Sequence, residues 1–222
     1  MSAEPITIRI NDASSVSGLW QAPATPKACL VLAHGAGAGM THKAMAATAD
    51  GLAERGVATL RYQFPYMEKG GKRVDPPPVA HAAVRAAATE GLRRAGGAPL
   101  FAGGRSFGGR MTSQAQALAP LEGVRGLVFF ALPLHPAGKP SIDRAAHLSA
   151  VAIPMLFLQG TKDALAELDL LQRVVAGLGS RATLELVQDA DHSFHARAKT
   201  GRKDAEVLAG LLDAAAAWIA AH

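Results

Sequence analysis

A serine set between glycines is the residue whose surroundings most clearly suggest chemistry. The stretch "GRSFG" at residues 104–108 follows an apolar run and precedes a helical pattern. In that context G-x-S-x-G is typical of a strained strand-to-helix turn that exposes a nucleophilic hydroxyl, here that of Ser106. A phosphate-binding loop is excluded, because Arg110 and Met111 stand where it needs a lysine and a hydroxyl residue. A plain tight turn remains the alternative.

An acid and a histidine follow Ser106 in the order that a catalytic triad on a parallel sheet requires. Asp163 comes after the apolar run "MLFLQ", and His192 comes after the last predicted strand. All three residues lie just past the carboxyl ends of predicted strands, which meet at one edge of a parallel sheet. We therefore predict Ser106 as nucleophile, His192 as base and Asp163 as the acid that orients the imidazole. Their rivals are Asp169, Asp189, Asp191 and His195.

A second glycine-rich turn, "HGAGAGM" at residues 34–40, could supply backbone donors. It does not fit a dinucleotide-binding fingerprint, because Met40 stands where the third glycine belongs. We expect the backbone N–H groups of Ala36 and Phe107 to hold an oxyanion. His34 is expected to brace this turn through hydrogen bonds rather than to take part in catalysis.

Substrate contacts are predicted for a few residues around these turns. They are Gly35, Arg105, His135 and Tyr66. Arg105 and His135, with Lys139, are candidates to meet an anionic substrate. No cluster of His, Cys, Asp or Glu has the spacing of metal ligands, so the sequence predicts neither a metal nor a cofactor.

Apolar runs that alternate with helical patterns predict an α/β fold with a mostly parallel sheet. The predicted strands are Ile6–Ile10, Val16–Gln21, Ala28–Ala33, Val57–Tyr62, Leu100–Ala102, Gly126–Ala131, Met155–Gln159 and Thr183–Val187. The predicted helices are Lys43–Arg55, Val79–Ala95, Phe107–Leu118, Ala164–Leu178 and Lys203–Ala221. Residues 63–78 are expected to form a long irregular loop that either walls a pocket or crosses the surface. Its prolines, Pro76–Pro78, are expected to be non-helical.

Composition limits the classes of protein that the chain can belong to. The length of 222 residues and the apolar fraction of 49% suit one folded domain, residues 1–222. The net charge of +5 comes from scattered cations without interleaved aromatics, so we expect no nucleic-acid partner. The lone Cys29 excludes an internal disulfide. No stretch resembles a membrane span or secretory signal, so a cytoplasmic protein without a membrane partner is expected.

Several linked motifs carry a resemblance that covers nearly the whole chain. The motifs are "AHGAGAGM", "FPYME", "GGRSFGGRM", "PLHPAGKP", "QGTKDAL" and "DADHSF". With them the chain resembles the α/β-hydrolases near the dienelactone-hydrolase-like group, and more closely a small branch whose members are mostly of undefined activity. The resemblance implies an eight-stranded, mostly parallel sheet with helices on both faces and no cap domain.

The predicted activity is hydrolysis of a carboxylic ester, thioester or lactone through an acyl-enzyme on Ser106. Its partner would be a small-molecule substrate. Two alternatives remain open from the sequence. One is a catalytically silent scaffold that binds a protein partner, since some relatives are subunits of larger assemblies. The other is an acyltransferase that uses the same three residues.

Overall fold

Eight strands form a single sheet in the computed structural model, which describes residues 2–196, 201 and 203–222. The strand order is β1-β2-β4-β3-β5-β6-β7-β8; β2 is antiparallel to both of its neighbours and all other pairs are parallel. The strands are β1 (Glu4–Asn11), β2 (Ser14–Gln21), β3 (Ala28–Ala33), β4 (Val57–Tyr62), β5 (Leu100–Arg105), β6 (Val124–Phe130), β7 (Met155–Gly160) and β8 (Ala182–Val187). The predicted mostly parallel sheet is confirmed.

Within the part of the chain that the structure describes, six α-helices cover the two faces of this sheet. They are α1 (Lys43–Glu54), α2 (Pro65–Glu68), α3 (Pro77–Ala95), α4 (Phe107–Leu118), α5 (Leu168–Leu178) and α6 (Asp204–Ala221). Every residue of the central strands β3, β4 and β7 is buried, because these strands are covered on both sides. The continuous apolar runs of β3 and β7 in the sequence reflect this burial by helices on both faces.

Two apolar cores lie on opposite faces of the sheet. One includes Val84 of α3, Met111 of α4 and Leu171 of α5. The other includes Leu52 of α1 and Leu212 of α6. One apolar face of α6 is buried in the second core, where Leu208 is only partly buried. The buried residues share that face because residues three and four apart lie on the same side of a helix.

The start of α5 was predicted wrongly. The sequence pattern placed it at Ala164, whereas the helix begins at Leu168. The backbone N–H of Leu165 donates to the Asp163 carboxylate, and the Leu165 carbonyl accepts from Leu134. Residues 164–167 therefore form turns instead of the first turn of a helix. The backbone groups of Leu165 bond to the Asp163 side chain and to the loop that contains Leu134.

The prediction for the proline run was also wrong. Pro77 and Pro78 are the first residues of α3, after Pro76 as its cap. Proline is tolerated there, because the first-turn N–H groups of a helix have no intrahelical acceptor. The expected long loop is shortened further by α2, a single turn from Pro65 to Glu68.

No cap domain interrupts the sheet. Residues 131–154, which join β6 to β7, contain one 3-10 helix, Asp143–Ala150. That helix packs against α4 and α5. None of the helices in the described residues has the length and apolar character needed to cross a membrane.

Candidate active site

Ser106 lies on a strained turn between β5 and α4. Its φ of +50° and ψ of −117° lie outside the regions that residues with a side chain normally adopt. The turn is held on both sides: the Ser106 N–H donates to the Phe130 carbonyl at 3.0 Å, and the Ser106 carbonyl accepts from Arg110 N–H at 3.1 Å. The Ser106 hydroxyl is thereby presented at the carboxyl end of the sheet.

The flanking glycines are required because neighbouring backbone comes too close for a side chain. A Cβ on Gly104 would lie 2.5 Å from the Ala33 carbonyl oxygen, and one on Gly108 would lie 2.5 Å from the His34 carbonyl oxygen. Both contacts join the serine turn to the end of β3, from which the other glycine-rich turn departs. The two glycine clusters of the sequence therefore meet in the structure.

Ser106, His192 and Asp163 form one chain of hydrogen bonds. Nε2 of His192 lies 2.8 Å from the Ser106 Oγ, and Nδ1 lies 2.7 Å from Oδ2 of Asp163. The Asp163 side chain is fully buried, whereas that of His192 is 25% exposed. The carboxylate can therefore fix the Nδ1–H tautomer, which leaves Nε2 free to accept the serine proton.

Two further donors hold the Asp163 carboxylate. The Leu165 N–H reaches Oδ1 at 2.8 Å, and the Gln159 Nε2 donates to Oδ2. Sequence reasoning missed Gln159. A usable signal existed, because a polar residue ends the otherwise apolar strand β7 four positions before the acid. The bond satisfies the buried amide nitrogen of Gln159, whereas its Oε1 is buried without a hydrogen-bond partner among the described residues.

The two backbone N–H groups that the sequence predicted as oxyanion donors have no protein acceptor among the described residues. They belong to Phe107, the first residue of α4, and to Ala36 in the turn after β3. Gly35 lies between these turns, since a Cβ on it would be 3.7 Å from the Ser106 Cβ. First-turn N–H groups carry the positive end of the helix dipole and favour a nearby negative charge.

Tyr66 and His34 brace the turn that carries Ala36. The Tyr66 hydroxyl donates to the Ala36 carbonyl at 2.7 Å. His34 is fully buried; its Nδ1 lies 2.7 Å from the Gly35 carbonyl, and its Nε2 accepts from Phe64 N–H at 3.0 Å. Burial lowers the pKa of His34, which favours the neutral ring that this pairing needs. Burial, followed by the charge of Asp75, raises the pKa of Tyr66 to about 12.

Arg105 and His135 lie against the loops that carry the acid and the base. The Arg105 guanidinium is 3.4 Å from the His192 carbonyl and stacks 5.6 Å from the centre of the Phe194 ring. His135 is fully buried, with Nδ1 bonded to the Pro136 carbonyl and Nε2 accepting from Glu167 N–H at 3.4 Å. The contacts of both side chains are thus internal ones.

The rival acids and base lie away from the serine. Asp169 is exposed on α5, and Asp191 accepts the N–H groups of Ser193 and His195 within its own turn. His195 is exposed and pairs with Asp204 at 2.9 Å. Lys139 is exposed as well. Of the acidic candidates, Asp163 is the one bonded to His192.

Known proteins share this architecture and sequence pattern. A family described as "Alpha/beta hydrolase domain" matches residues 26–220. An α/β serine hydrolase homologue from Coxiella burnetii is 20% identical, with a TM-score of 0.77 over 96% of this chain and 98% of that one. A lidless α/β serine hydrolase from Xanthomonas campestris is 21% identical, with a TM-score of 0.75 over 98% and 95%.

A dienelactone hydrolase from Anabaena variabilis has the same fold. It is 17% identical, with a TM-score of 0.76 over 98% of this chain and 96% of that chain. The α/β-hydrolase resemblance that the sequence motifs indicated is confirmed, and the fold is similar to that of cap-less and dienelactone hydrolase structures. The chain belongs to the α/β-hydrolase family.

Proposed function

We propose that the protein is a serine hydrolase that cleaves a carboxylic ester or thioester through an acyl-enzyme. The observation that carries the proposal is the hydrogen-bond chain from Ser106 through His192 to the buried Asp163, at 2.8 and 2.7 Å, on a serine held at positive φ. Family membership supports it, because the fold places these three residues at one edge of the sheet.

In the first half-reaction the Ser106 Oγ bonds to the substrate carbonyl carbon while its proton passes to Nε2 of His192. The carbonyl oxygen becomes an oxyanion, which accepts from the N–H groups of Phe107 and Ala36. One such donor contributes about 10²–10³ in rate. His192 then gives the proton to the departing alcohol or thiol as the carbon–oxygen or carbon–sulfur bond breaks.

The second half-reaction returns the enzyme to its starting state. Water bonds to the acyl carbon as His192 takes its proton, and the bond to Ser106 Oγ breaks with return of that proton to the serine. Asp163 stabilises the imidazolium that forms in each half. The small segment between β6 and β7 suits an open site without a cap, which favours small or extended substrates.

Labelling with a fluorophosphonate tests this proposal directly, because the probe needs an activated serine and oxyanion donors. We expect wild type to be labelled and Ser106→Ala and His192→Ala to stay unlabelled. Ser149→Ala, which removes an exposed hydroxyl from the 3-10 helix, should label like wild type. A folded wild-type protein that resists labelling would favour the scaffold alternative.

Product analysis distinguishes hydrolysis from acyl transfer. We expect short 4-nitrophenyl esters to yield the free carboxylic acid in equal amount to nitrophenol. Acylated alcohol or amine, when such an acceptor is added, would identify a transferase instead. The same assay with thioesters defines which leaving group the site prefers.

A further inference from the structure

Arg110 is a cation without a carboxylate partner among the described residues. It follows Ser106 by one helical turn, and its guanidinium carbon lies 5.8 Å from the centre of the Phe107 ring. The Nε atom is buried and has no hydrogen-bond acceptor. A partly buried charge is normally paired or hydrogen-bonded, because its desolvation is otherwise uncompensated. The buried, unpaired Nε of Arg110 therefore points to a missing partner.

The charged groups that interact with Arg110 are themselves basic. Arg144 and His147 come from the 3-10 helix, and His81 comes from α3; we call these three and Arg110 the Arg110 cluster. Burial, and then the charge of Arg144, lowers the pKa of Arg110. Burial, and then the charge of Arg110, lowers the pKa of His147 to about 4. Burial lowers the pKa of His81, with the charges of Arg85 and Arg110 acting in the same direction.

The surroundings hold these side chains in place without neutralising them. His147 Nε2 lies 2.7 Å from the Ser113 Oγ, and His81 Nε2 lies 3.3 Å from the Gln114 Oε1. Both partners are uncharged residues of α4. No ion pair within residues 2–196, 201 and 203–222 includes Arg110 or Arg144. The Arg110 cluster is thus ordered and uncompensated.

The direction of the Arg110 side chain links the cluster to the serine. Side chains of a helix lean toward its N-terminus, and Ser106 is the N-terminal cap of α4. Phe107, under the guanidinium, is fixed by edge-on contacts with Phe64 and Tyr66 at 5.2 and 6.5 Å. A group bound to Arg110 would therefore sit beside the residue that follows the nucleophile.

We propose that the Arg110 cluster binds a carboxylate or phosphate group of the substrate, so that the natural ester is anionic. The inference rests on the proposed hydrolase function and names its substrate class. A guanidinium suits this role, because its fork of donors matches the two oxygens of such a group. Arg105, which the sequence suggested for an anionic substrate, is occupied by the His192 carbonyl and the Phe194 ring.

A pair of ester series tests the preference. Mono-4-nitrophenyl succinate, glutarate and adipate carry a terminal carboxylate, and 4-nitrophenyl butyrate, valerate and hexanoate have the same acyl lengths without it. We expect wild type to have the higher kcat/KM on an anionic ester. Arg110→Met keeps an apolar stem over Phe107 but removes the charge, and should lower the ratio of anionic to neutral kcat/KM about tenfold or more. Arg110→Lys should recover part of it.

The matched control is Arg125→Met. Arg125 is exposed at the amino end of β6, whereas the serine lies at the carboxyl ends of the strands. This variant makes the same change in net charge and should leave the ratio at the wild-type value. An equal fall in both variants would attribute the effect to net charge and overturn the assignment to Arg110.

A binding measurement separates the anion site from turnover. Sulfate is a suitable probe because it keeps its charge from pH 4 to 8. The pKa of His147 can be measured from the C2–H resonance of its ring by NMR, in a pH titration with sulfate and in one without it. We expect sulfate to raise the pKa of His147 in wild type and to have no effect in Arg110→Met. An unchanged His147 titration in wild type overturns the site, whatever the esters show.

The remaining outcomes distinguish the two proposals. Sulfate binding through Arg110 with equal kcat/KM for both ester series would assign the site to a free anion and refute the substrate class. Sulfate binding through Arg110 in a protein that neither labels with fluorophosphonate nor cleaves any ester would refute the hydrolase and leave the anion site standing.

Discussion

Acidification should destabilise this protein through His147. Its Nε2 lies 2.7 Å from Ser113 Oγ, in a site where burial and the charge of Arg110 oppose protonation. The Ser113 hydroxyl donates to the Arg110 carbonyl at 3.0 Å, so its oxygen accepts the proton of the neutral imidazole. The folded protein therefore holds His147 uncharged well below the pH at which a free histidine takes up a proton.

The magnitude follows from the two pKa values. The pKa of His147 falls from 6.5 in an unperturbed chain to about 4 in the folded protein. Between these values the unfolded chain binds a proton that the folded chain does not, so stability present above pH 6.5 is lost as the pH falls toward 4. Each pH unit of separation corresponds to about 1.4 kcal/mol, which makes the loss on the order of 3 kcal/mol.

Urea unfolding at pH 7 and pH 4, in chloride buffers, measures this loss. His147→Gln keeps a side-chain donor for Ser113 and removes the titration. Carboxylates contribute to acid destabilisation in both proteins, so the informative quantity is the difference between them. We expect wild type to lose on the order of 3 kcal/mol more unfolding free energy than the variant over this range.

The control is His42→Gln, which removes an exposed imidazole from the start of α1. Between pH 7 and pH 4 this variant should lose more unfolding free energy than His147→Gln. The reasoning is refuted if His147→Gln and wild type lose the same unfolding free energy between pH 7 and pH 4.

Three further perturbations test the site and its support. Asp163→Asn should lower kcat on the order of 10⁴-fold, because the imidazole of His192 loses the partner that fixes its tautomer. The circular dichroism spectrum should be unchanged. Turnover at the wild-type rate would remove Asp163 from the mechanism. Gly104→Ala should lower the midpoint of thermal unfolding, because the added Cβ would lie 2.5 Å from the Ala33 carbonyl oxygen. Gly177→Ala should raise the midpoint, because Gly177 lies in α5 with open space around it. Equal shifts in the two variants would contradict the packing argument. Tyr66→Phe should reduce kcat about tenfold with little change in KM, because the Ala36 carbonyl loses its hydrogen bond while the substrate contacts remain. An unchanged kcat would show that the turn is held without this bond.

The order of the strands and helices, and the order of the three reactive residues along the chain, could be predicted from the sequence. Fully buried parallel strands leave continuous apolar runs, as β7 does before Asp163. Ser106, Asp163 and His192 each follow a predicted strand. Because parallel strands end at a common edge, sequence position alone predicted that these residues meet. The structure brings them to hydrogen-bond distance.

The contacts of side chains in the loops after the strands could not be predicted from the sequence. The sequence did not indicate that Arg105 Nη2 and His135 Nε2 bond to backbone groups of neighbouring loops, and substrate contact by these two residues stays a prediction. In a loop no periodicity fixes where a side chain points, so its partners depend on residues far away in sequence. Gln159 was missed for a related reason: a polar residue at the end of a strand signals a buried bond but not its partner.

The two buried histidines have a consequence for the motions of this edge. His34, after β3, accepts the N–H of Phe64 after β4, and His135, after β6, accepts the N–H of Glu167 after β7. Each imidazole thus joins two loops that leave the sheet separately. Loop amides usually exchange with solvent deuterium through small local openings. These two amides should instead exchange slowly, because releasing either one requires a buried ring to leave the interior together with both loops.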